Sequence, residues 1–295
     1  MDCSIVIPAL NERDNLEPLL QALKGVLDGL VPTWEVVVVD GGSTDGTVEL
    51  ARRMGARVVF QTEPGYGGAL KAGFETARGQ VVITMDADCS HDPAVVRELW
   101  AHRTEADLLI ASRYVPGGRA EMSLGRLVLS RVLNVSFAWL LALPVKDLSS
   151  GFRLYHRSTL ERLPFKSRDF DVLEEILIHA YADGFTVREV PFHYRPRVHG
   201  RSHVKLARFA RSYLVTLLRM WQLRHSIFSA DHPERAIRSW VPLQRAWHRR
   251  RLSLLRWGMP IRDGVLNLGC GSNLLAEELR DWVGVETSLK RLRRL

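Results

Sequence analysis

Short apolar runs alternate with stretches of helical periodicity through the first part of the chain. The runs have the length and β-branched content of strands, and the stretches between them repeat their apolar positions every three to four residues. In chain order these segments read CSIVIP, NLEPLLQALKGVLDGL, WEVVVVD, DGTVELARRMG, ARVVF, GGALKAGFETARG and VVITMD. Strands that are apolar at nearly every position are typical of a parallel sheet covered by helices on both faces. The pattern therefore predicts an α/β fold built from βαβ units.

A polar motif follows each of the first four predicted strands. The motifs are PALNE, DGGSTDG, TEPGYGG and DADCSHD, in chain order. The carboxyl ends of parallel strands meet at one edge of a sheet, where helix N-termini direct their N–H groups into the crevice. The four motifs therefore predict one ligand-binding crevice at this edge.

The pattern is less regular beyond residue 107. We expect a strand at 107–111, a loop at SRYVPGGR and one or two amphipathic helices at 124–143. DLSSGFRLYH then predicts a loop that enters a strand, DVLEEILIHAYADG a helix, TVREV a strand and RVHGRSH a loop.

Two segments of this region have amphipathic patterns. At 124–143 an apolar side comprises Val128, Val132, Val135 and Trp139, and a polar side comprises Arg126, Ser130 and Asn134. At 204–224 an apolar stripe comprises Leu206, Phe209, Ala210, Tyr213, Leu214, Leu217, Leu218 and Trp221. For this second, basic helix we favour packing onto the sheet domain, and docking on a membrane surface is the alternative.

The composition changes near residue 229, where a basic run follows. Farther on, VLNLGCGSN and VGVE predict a strand, a glycine turn and a second strand that ends at Glu286. We divide the chain into an α/β domain at 1–228, a basic helical linker at 229–261 and a partial second Rossmann-like unit at 262–295. Two strands cannot bury a core, so this unit is either a fragment of a larger domain or a vestigial tail.

The charge balance indicates an anionic partner. Lys and Arg number 41 against 33 Asp and Glu, which gives a net charge of +8. Nucleic acid, anionic lipid and a phosphorylated substrate all satisfy this balance. The basic residues alternate with an apolar stripe and no nucleic-acid reader motif is visible, so we predict that nucleic acid is not the partner.

The cysteines and the apolar segments bear on location. Cys3, Cys89 and Cys270 lack paired spacing, which predicts neither a disulfide framework nor a zinc site. The first residues lack the pattern of a signal peptide, and the longest uncharged stretch, 132–145, is shorter than the about 20 residues of a spanning helix. We expect a cytoplasmic protein whose membrane contact, if any, is peripheral at the cytoplasmic face.

Asp86 and Asp88 lie one residue apart at the end of VVITMD. Two carboxylates this close repel each other unless a cation neutralises them, and Mg²⁺ or Mn²⁺ binds in proteins through carboxylates and substrate phosphates. The pair therefore predicts a metal site that holds a diphosphate, with a solvated loop pair as the alternative. Asp40 and Asp45 add acidic groups at the same edge: Asp45 is expected to cap a helix, and Asp40 to accept hydrogen bonds from a nucleobase or ribose.

Glycines surround the second and third motifs. They either let the backbone approach a ligand or only make tight turns, and both interpretations stay open for Gly41, Gly42, Gly65, Gly67 and Gly68. Lys71 lies in the first turns of the helix that follows. Gly67 and Lys71 are therefore candidate ligand-binding residues.

Seven motifs in fixed order resemble a known family. They are IVIPALNE, VVVDGGSTDGT, PGYGGALKAGFETARG, ITMDADCSHDP, IASRYVPGG, DLSSGFRLY and EVPFHYRPRVHGRSH. Together they are similar to family 2 glycosyltransferases of the dolichol- or polyprenol-phosphate mannosyltransferase type over about residues 1–225. The resemblance implies a GT-A fold, a nucleotide-sugar donor, a divalent metal and inversion at the anomeric carbon.

The resemblance also implies roles on the donor side. Asp40 would contact the base or ribose, and Asp86 and Asp88 would hold Mg²⁺ or Mn²⁺ on the donor diphosphate. The nucleotide pocket would be lined by Pro8, Asn11 and Glu12. Many relatives carry a second acidic residue where this chain has Gly41, so one nucleotide contact is missing or replaced.

On the acceptor side, the resemblance implies that Arg113 and Arg153 meet phosphate groups and that Asp147 lies near the reacting sugar. A lipid phosphate is already a nucleophile at neutral pH and needs no strong base, which leaves the arginines to bind it. A histidine, His203, stands where relatives carry lysine, so a neighbouring cation would supply that charge. The predicted acceptor-phosphate ligands are Arg113, Arg197, Arg201 and Lys205.

The leading hypothesis is transfer of mannose or glucose from GDP-mannose or UDP-glucose to a polyprenyl or dolichyl phosphate. One alternative keeps the donor but uses a saccharide or another hydroxyl acceptor, with Asp147 as the base. Another is a methyltransferase fragment whose N-terminal domain binds glycans, since VLNLGCGSN resembles motif I of S-adenosylmethionine-dependent methyltransferases. Two smaller questions also stay open: His91 caps a loop or is a third metal ligand, and Arg113 binds a ligand or forms a structural ion pair.

Overall fold

The computed structural model describes residues 1–196, 206–225, 229–230, 246, 250, 253, 265–268 and 282–285. Several predicted features lie outside these residues, namely Arg197, Arg201, His203, Lys205, Glu286 and the glycine turn at 269–271. The three-part division of the chain therefore stays a prediction.

A seven-stranded sheet forms the centre of the main domain, in the order β3-β2-β1-β4-β7-β5-β8. Its strands are β1 (Cys3–Ala9), β2 (Trp34–Asp40), β3 (Arg57–Phe60), β4 (Val81–Thr84), β5 (Leu108–Ser112), β7 (Arg153–His156) and β8 (Val187–Pro191). The short strands β6 (Arg119–Ala120) and β9 (His193–Tyr194) pair beside it. Every pairing in the main sheet is parallel except those of β7, so the α/β prediction with a mostly parallel sheet is confirmed.

Eight helices surround the sheet in the described part of the chain. They are α1 (Arg13–Leu27), α2 (Thr47–Arg53), α3 (Tyr66–Thr76), α4 (Val95–Ala101), α5 (Leu124–Leu140), α6 (Arg157–Leu160), α7 (Val172–Ala182) and α8 (Leu206–His225). The sequence pattern did not predict α4, α6, β6 and β9. Each spans at most seven residues, which is too short to show a period.

Burial on both faces explains the continuous apolar strands. Along β1, Ile5 and Ile7 pack in one core cluster with the apolar side of α1, whereas Val6 packs in another with Ala69 and Ala72 of α3. Each fully buried aliphatic side chain contributes about 1.5–3 kcal/mol relative to an exposed one. A strand with an apolar residue at every position is therefore stable only between two layers of helices.

The reversed direction of β7 brings a further loop to the ligand edge. β7 lies between β4 and β5 and is antiparallel to both, with Arg153 opposite Thr84 at the end of β4. Because β7 begins where its neighbours end, the loop at 147–152 reaches the same edge as the polar motifs. The Thr84 hydroxyl holds this loop by donating to the Gly151 carbonyl at 2.7 Å.

Helix α5 presents its apolar side to the surface. Asn134 of the polar side is buried, whereas Trp139 is 75% exposed. Exposed apolar residues of α5 are Leu124, Val128, Leu129, Val132, Val135 and Trp139. The inward position of Asn134 has a clear cause, because its side-chain carbonyl accepts the N–H of Leu148 at 2.6 Å and its side-chain amide donates to Ser149 at 3.1 Å.

Helix α8 divides its predicted stripe between the interior and the surface. Tyr213 of the stripe is buried against α7, as is Met220 outside the stripe, in agreement with packing onto the sheet domain. Leu214, Leu218 and Trp221 are exposed, together with Val215. Packing therefore accounts for only part of the stripe, and α5 and α8 both expose apolar faces.

Two observations concern the remaining predictions. Strands β10 (Val265–Leu268) and β11 (Trp282–Val285) pair in parallel, which confirms two strands at the predicted positions. Among the described helices, none is long and apolar enough to span a bilayer.

Candidate functional site

A cavity of about 290 Å³, lined by acidic as well as apolar residues, opens at the carboxyl edge of the sheet beside the ends of β1 and β4. β1 and β4 are neighbours in the sheet, but β2 and β3, which come between them in the chain, lie on the other side of β1. The crevice therefore forms at the point where the strand order reverses. Its walls are Pro8, Ala9, Leu10, Glu12, Gly41, Gln61, Gly65, Tyr66, Ala69, Asp86, Ala87, Asp88, Asp169 and Phe170. The motifs after all four strands thus meet at one cavity, as the sequence pattern predicts.

The predicted metal ligands lie in this cavity and are held by hydrogen bonds. The Tyr66 hydroxyl donates to Asp86 Oδ1 at 3.2 Å, and Asp88 Oδ1 accepts the N–H of Ser90 at 3.0 Å. Burial, together with the charge of Asp86, raises the pKa of Tyr66, so its hydroxyl stays a donor. Both carboxylates are therefore oriented before any ligand binds.

His91 supports the start of this loop. Its Nδ1 accepts the N–H of Asp86 at 3.0 Å, and its ring stacks on Phe152 with centroids 4.9 Å apart. Burial lowers the pKa of His91 although the nearby Asp86 and Asp88 oppose the shift, so the ring is neutral and carries its proton on Nε2. This geometry supports the loop-capping interpretation of His91.

The Asp86 and Asp88 carboxylates suit a divalent cation, but the described residues do not provide a complete set of ligands for it. No group of three or more His, Cys, Asp or Glu side chains in the described residues could hold an ion. Mg²⁺ and Mn²⁺ accept this arrangement, since they commonly bind through one or two carboxylates and take the remaining oxygens from substrate phosphates.

Two of the residues predicted to contact the nucleotide-sugar donor shape a loop beside the cavity. Asp40 Oδ2 accepts the N–H groups of Gly42 at 2.8 Å and Ser43 at 3.1 Å. Asn11, in the left-handed region at φ 55°, accepts the N–H of Thr44 at 2.8 Å through its side chain. Pro8 and Glu12 line the cavity directly, whereas Asp40 and Asn11 fix the loop at 42–44.

Gly67 and Lys71 do not line this cavity, and their role as ligand-binding residues stays a prediction. The Gly67 N–H donates to the Arg168 carbonyl at 2.8 Å, and Lys71 forms an ion pair with Glu63 at 2.6 Å. A Cβ on Gly67 would lie 2.2 Å from the Ser167 carbonyl oxygen. Gly67 is therefore required for close packing of the 166–169 loop on α3. This role differs from the two considered from the sequence, a tight turn and close approach to a ligand.

Arg113 and Asp147 form a buried bidentate ion pair. Arg113 Nε and Nη2 lie 2.7 and 2.6 Å from the two oxygens of Asp147, which is 0% exposed. Burial alone lowers the pKa of Arg113, but the hydrogen bond and charge of Asp147 raise it above its ordinary value. Arg113 also donates to Ser149 at 2.8 Å, so the pair joins the end of β5 to the loop before β7.

Arg153 lies beneath the site and is also 0% exposed. Its guanidinium donates to three carbonyl oxygens, those of Leu148, Ser150 and Leu173. These hydrogen bonds give Arg153 a structural role, and its contact with a phosphate stays a prediction. The residue holds the 148–150 loop against α7.

A second, apolar cavity of about 230 Å³ lies between α5 and α8. Its lining comprises Arg126, Leu129, Ser130, Leu133, Asn134, Phe137, Leu148, Ser149, Glu174 and Tyr213. Ser149 belongs both to this lining and to the hydrogen bonds of Arg113. The apolar cavity thus adjoins the ion pair.

Two residues that line the cavities, Tyr66 and Glu174, were not predicted as site residues from the sequence. Tyr66 orients Asp86 and stacks on Phe170, with ring centroids 4.6 Å apart. An aromatic residue between the glycines of PGYGG was the available signal. Glu174 was also visible, as one of two adjacent acidic residues in a mostly apolar helix, but its interactions with Arg153 of β7 and Tyr213 of α8 could not be predicted from the local sequence.

Comparison with known proteins identifies similar sequences and folds. The profile "Glycosyl transferase family 2" matches residues 4–163. Dolichol-phosphate mannosyltransferase of Pyrococcus furiosus is 35% identical over 223 residues, which cover 70% of this chain and 60% of that protein. Polyprenol monophosphomannose synthase of Mycolicibacterium smegmatis is 37% identical over 213 residues, covering 67% and 79%. This chain thus spans 60% of the length of the archaeal relative.

Solved structures of one enzyme share the fold. Glucosyl-3-phosphoglycerate synthase from Mycobacterium tuberculosis, in complex with Mn²⁺, UDP and phosphoglyceric acid, superposes with a TM-score of 0.63 at 26% identity, covering 75% of this chain and 78% of that one. Its complex with Mg²⁺ and UDP gives a TM-score of 0.62 at 26% identity, covering 74% and 79%. The family match ends at residue 163, and the methyltransferase-like interpretation of 262–295 has no support from these relatives.

Replacing Gly67 by alanine is expected to lower the free energy of unfolding by about 1–3 kcal/mol, because the new Cβ would overlap the Ser167 carbonyl. Urea unfolding followed by circular dichroism measures the change. Gly25→Ala is the matched control, since Gly25 lies in α1 with open space around it, and should raise stability by about 0.5–1 kcal/mol. Unchanged stability of Gly67→Ala would contradict tight docking of the loop.

Replacing His91 by alanine is expected to weaken Mn²⁺ binding by about 10–100-fold in the presence of a nucleoside diphosphate. The reason is that the Asp86 N–H loses its acceptor and the loop that carries both carboxylates loses its support. Titration followed by electron paramagnetic resonance measures the affinity. His102→Ala, at the end of α4, is the control and should bind Mn²⁺ like the wild type; equal affinity of His91→Ala would show that Asp86 needs no such support.

Proposed function

This chain belongs to glycosyl transferase family 2, and we propose that it transfers a hexose, mannose or glucose, from a nucleoside diphosphate sugar to a polyprenyl phosphate. Two relatives support the lipid acceptor by their names, dolichol-phosphate mannosyltransferase and polyprenol monophosphomannose synthase. The neighbour solved with Mn²⁺ and UDP supports a metal-bound nucleotide donor. GDP-mannose and UDP-glucose are the candidate donors.

The observation that carries the proposal is that the Arg113–Asp147 pair lies between the loop of the predicted metal ligands and the apolar cavity. On one side, the Tyr194 ring centroid lies 5.7 Å from the Arg113 guanidinium and 6.4 Å from the His91 ring, which supports the metal loop. On the other side, Ser149 links Arg113 to the apolar cavity. A polar donor and an apolar acceptor could therefore approach each other beside this pair.

On the donor side, Asp86 and Asp88 would hold Mg²⁺ or Mn²⁺, which stabilises the charge on the departing diphosphate. Pro8 and Glu12 would contact the nucleotide directly. Asp40 would act on the base or ribose with the loop at 42–44 that it orients. Hydrogen bonds fix both metal ligands, so little reorganisation is needed when the nucleotide sugar binds.

On the acceptor side, the state of Asp147 favours a phosphate over a neutral hydroxyl. Both Asp147 oxygens accept hydrogen bonds from Arg113, and the residue is buried. A carboxylate in this position is poorly placed to take a proton from a hydroxyl acceptor. A phosphate oxygen needs no such base, and Arg197, Arg201 and Lys205 remain proposed ligands for it.

The exposed apolar faces of α5 and α8 support peripheral contact with an anionic membrane. Val132, Val135 and Trp139 are exposed on α5, and the exposed Arg126 and Arg131 add positive charge on the same helix. Apolar residues beside basic ones are the combination that binds an anionic bilayer surface. A membrane-embedded acceptor could then enter the cavity between the two helices.

Replacing Asp88 by asparagine is expected to lower the rate of hexose transfer to a short polyprenyl phosphate by roughly two orders of magnitude or more, since one negative ligand of the metal is lost. Radiolabelled sugar recovered in the lipid phase measures the rate, and circular dichroism checks the fold. Asp28→Asn, an exposed residue after α1, is the control. Full activity of Asp88→Asn, or of wild type after chelation of the metal, would contradict the proposal.

Introducing glutamate at both Val132 and Val135 is expected to reduce binding to vesicles of phosphatidylglycerol and phosphatidylcholine by roughly tenfold or more, because two exposed apolar side chains become charged. Cosedimentation measures the bound fraction. Phe60→Glu changes a comparably exposed residue on β3 and should bind like the wild type. Equal loss in both variants would show that α5 is not the contact surface.

A further inference from the structure

A carboxyl group forms part of the wall of the apolar cavity between α5 and α8. Glu174 of α7 lines this cavity, although only 2% of the residue is exposed. Its Oε1 accepts the Tyr213 hydroxyl at 3.1 Å. Its Oε2 is buried and has no hydrogen-bond partner among the residues that the structure describes.

The rest of the lining makes a charge on Glu174 costly. Hydrocarbon dominates it, from Leu129 and Leu133 of α5, Phe137 and Leu148. An isolated carboxylate in such surroundings loses its hydration and gains little in return, so the acid form is favoured. The polar groups nearby must be counted before the charge state is assigned.

Charged and titratable groups face Glu174 from several elements. Arg153 of β7 favours the ionised form, but its guanidinium is already bonded to three carbonyls. The Tyr213 hydroxyl of α8 also favours ionisation, whereas Asp171 of the preceding turn opposes it. Arg126 of α5 lines the cavity from its exposed position. Burial is the largest influence and raises the pKa of Glu174 to about 8.

We propose that Glu174 is a specificity-determining residue of this cavity: its uncharged carboxyl admits a hydrocarbon chain, and its ionised form excludes one. The inference rests on the proposed function only in identifying that chain with the lipid of the acceptor. Glu174 does not touch the reacting atoms in this account. It sets the condition under which the apolar part of the acceptor is bound.

A quantitative consequence follows from linkage. If only the acid form binds hydrocarbon, the apparent affinity is reduced by the fraction of protein in which Glu174 is protonated. With a pKa of about 8, that fraction falls about tenfold between roughly pH 7 and pH 9. Replacement by glutamine, which has the same shape and no charge, removes the dependence.

The test uses geraniol, a short isoprenoid alcohol that does not ionise in this range, so that any pH effect belongs to the protein. Isothermal calorimetry with the full chain measures its affinity across this pH range. Wild type is expected to weaken about tenfold over the two pH units. Glu174→Gln should bind geraniol at every pH in this range with the affinity that wild type has at neutral pH. Glu161→Gln, an exposed residue after α6, is the matched control and should behave like wild type.

Stability provides a second readout that needs no ligand. Glu174 has an ordinary pKa of 4.5 when unfolded and about 8 when folded, so between these values the folded state binds more protons. Wild type should therefore lose stability as the pH rises through this window, and Glu174→Gln should lose less. If Glu174→Gln folds poorly, Glu174→Leu serves the same purpose, because it also removes the charge.

The outcomes distinguish the role of Glu174 from the proposed transferase function. A geraniol affinity that does not change with pH in wild type, an equal change in wild type and Glu174→Gln, or no binding at any pH would overturn the inference. Sugar transfer to geranyl phosphate, assayed with the same preparation, tests the proposed function independently. Transfer without pH-dependent geraniol binding defeats only the role of Glu174, whereas pH-dependent binding without transfer to any lipid phosphate defeats only the proposed function.

Discussion

Two carboxylates held close together at the end of a buried strand are the constraint on which the site depends. The Asp86 and Asp88 carboxylates repel each other, and a bound cation would offset this repulsion. The surrounding structure fixes them in advance, through Tyr66 on one oxygen of Asp86 and His91 on its backbone N–H. The antiparallel β7 completes the arrangement, because it brings the 147–152 loop to the edge where the other strands end.

The same loop connects the metal site to the acceptor side. Arg113 binds Asp147 and Ser149 within it, and Asn134 of α5 binds Leu148 and Ser149. These bonds turn Asn134 inward, whereas the apolar side of α5 is exposed. The surface that we propose contacts the membrane is therefore a consequence of how the interior of the site is built.

Local sequence patterns predicted much of this architecture and not its long-range partners. Continuous apolar strands and the acidic ends of β2 and β4 were sufficient for the sheet, the crevice and the positions of Asp86 and Asp88. The contact of Gly67 was not predictable because the 166–169 loop is distant from it in sequence. The partners of Arg153 and Lys71 include the nearby 148–150 loop and Glu63, but which side chains meet there depends on the tertiary fold. Amphipathic periodicity showed two faces on α5 but could not show which of them is inside.

The most direct test of the central claim is a crystal structure of the protein with Mn²⁺ and a nucleoside diphosphate. The account predicts one Mn²⁺ ion coordinated by the Asp86 and Asp88 carboxylates and by diphosphate oxygens, with the nucleoside against Pro8 and Glu12. A diphosphate bound elsewhere, or a fully occupied nucleotide with Asp86 and Asp88 turned away from it and no manganese between them, would contradict it.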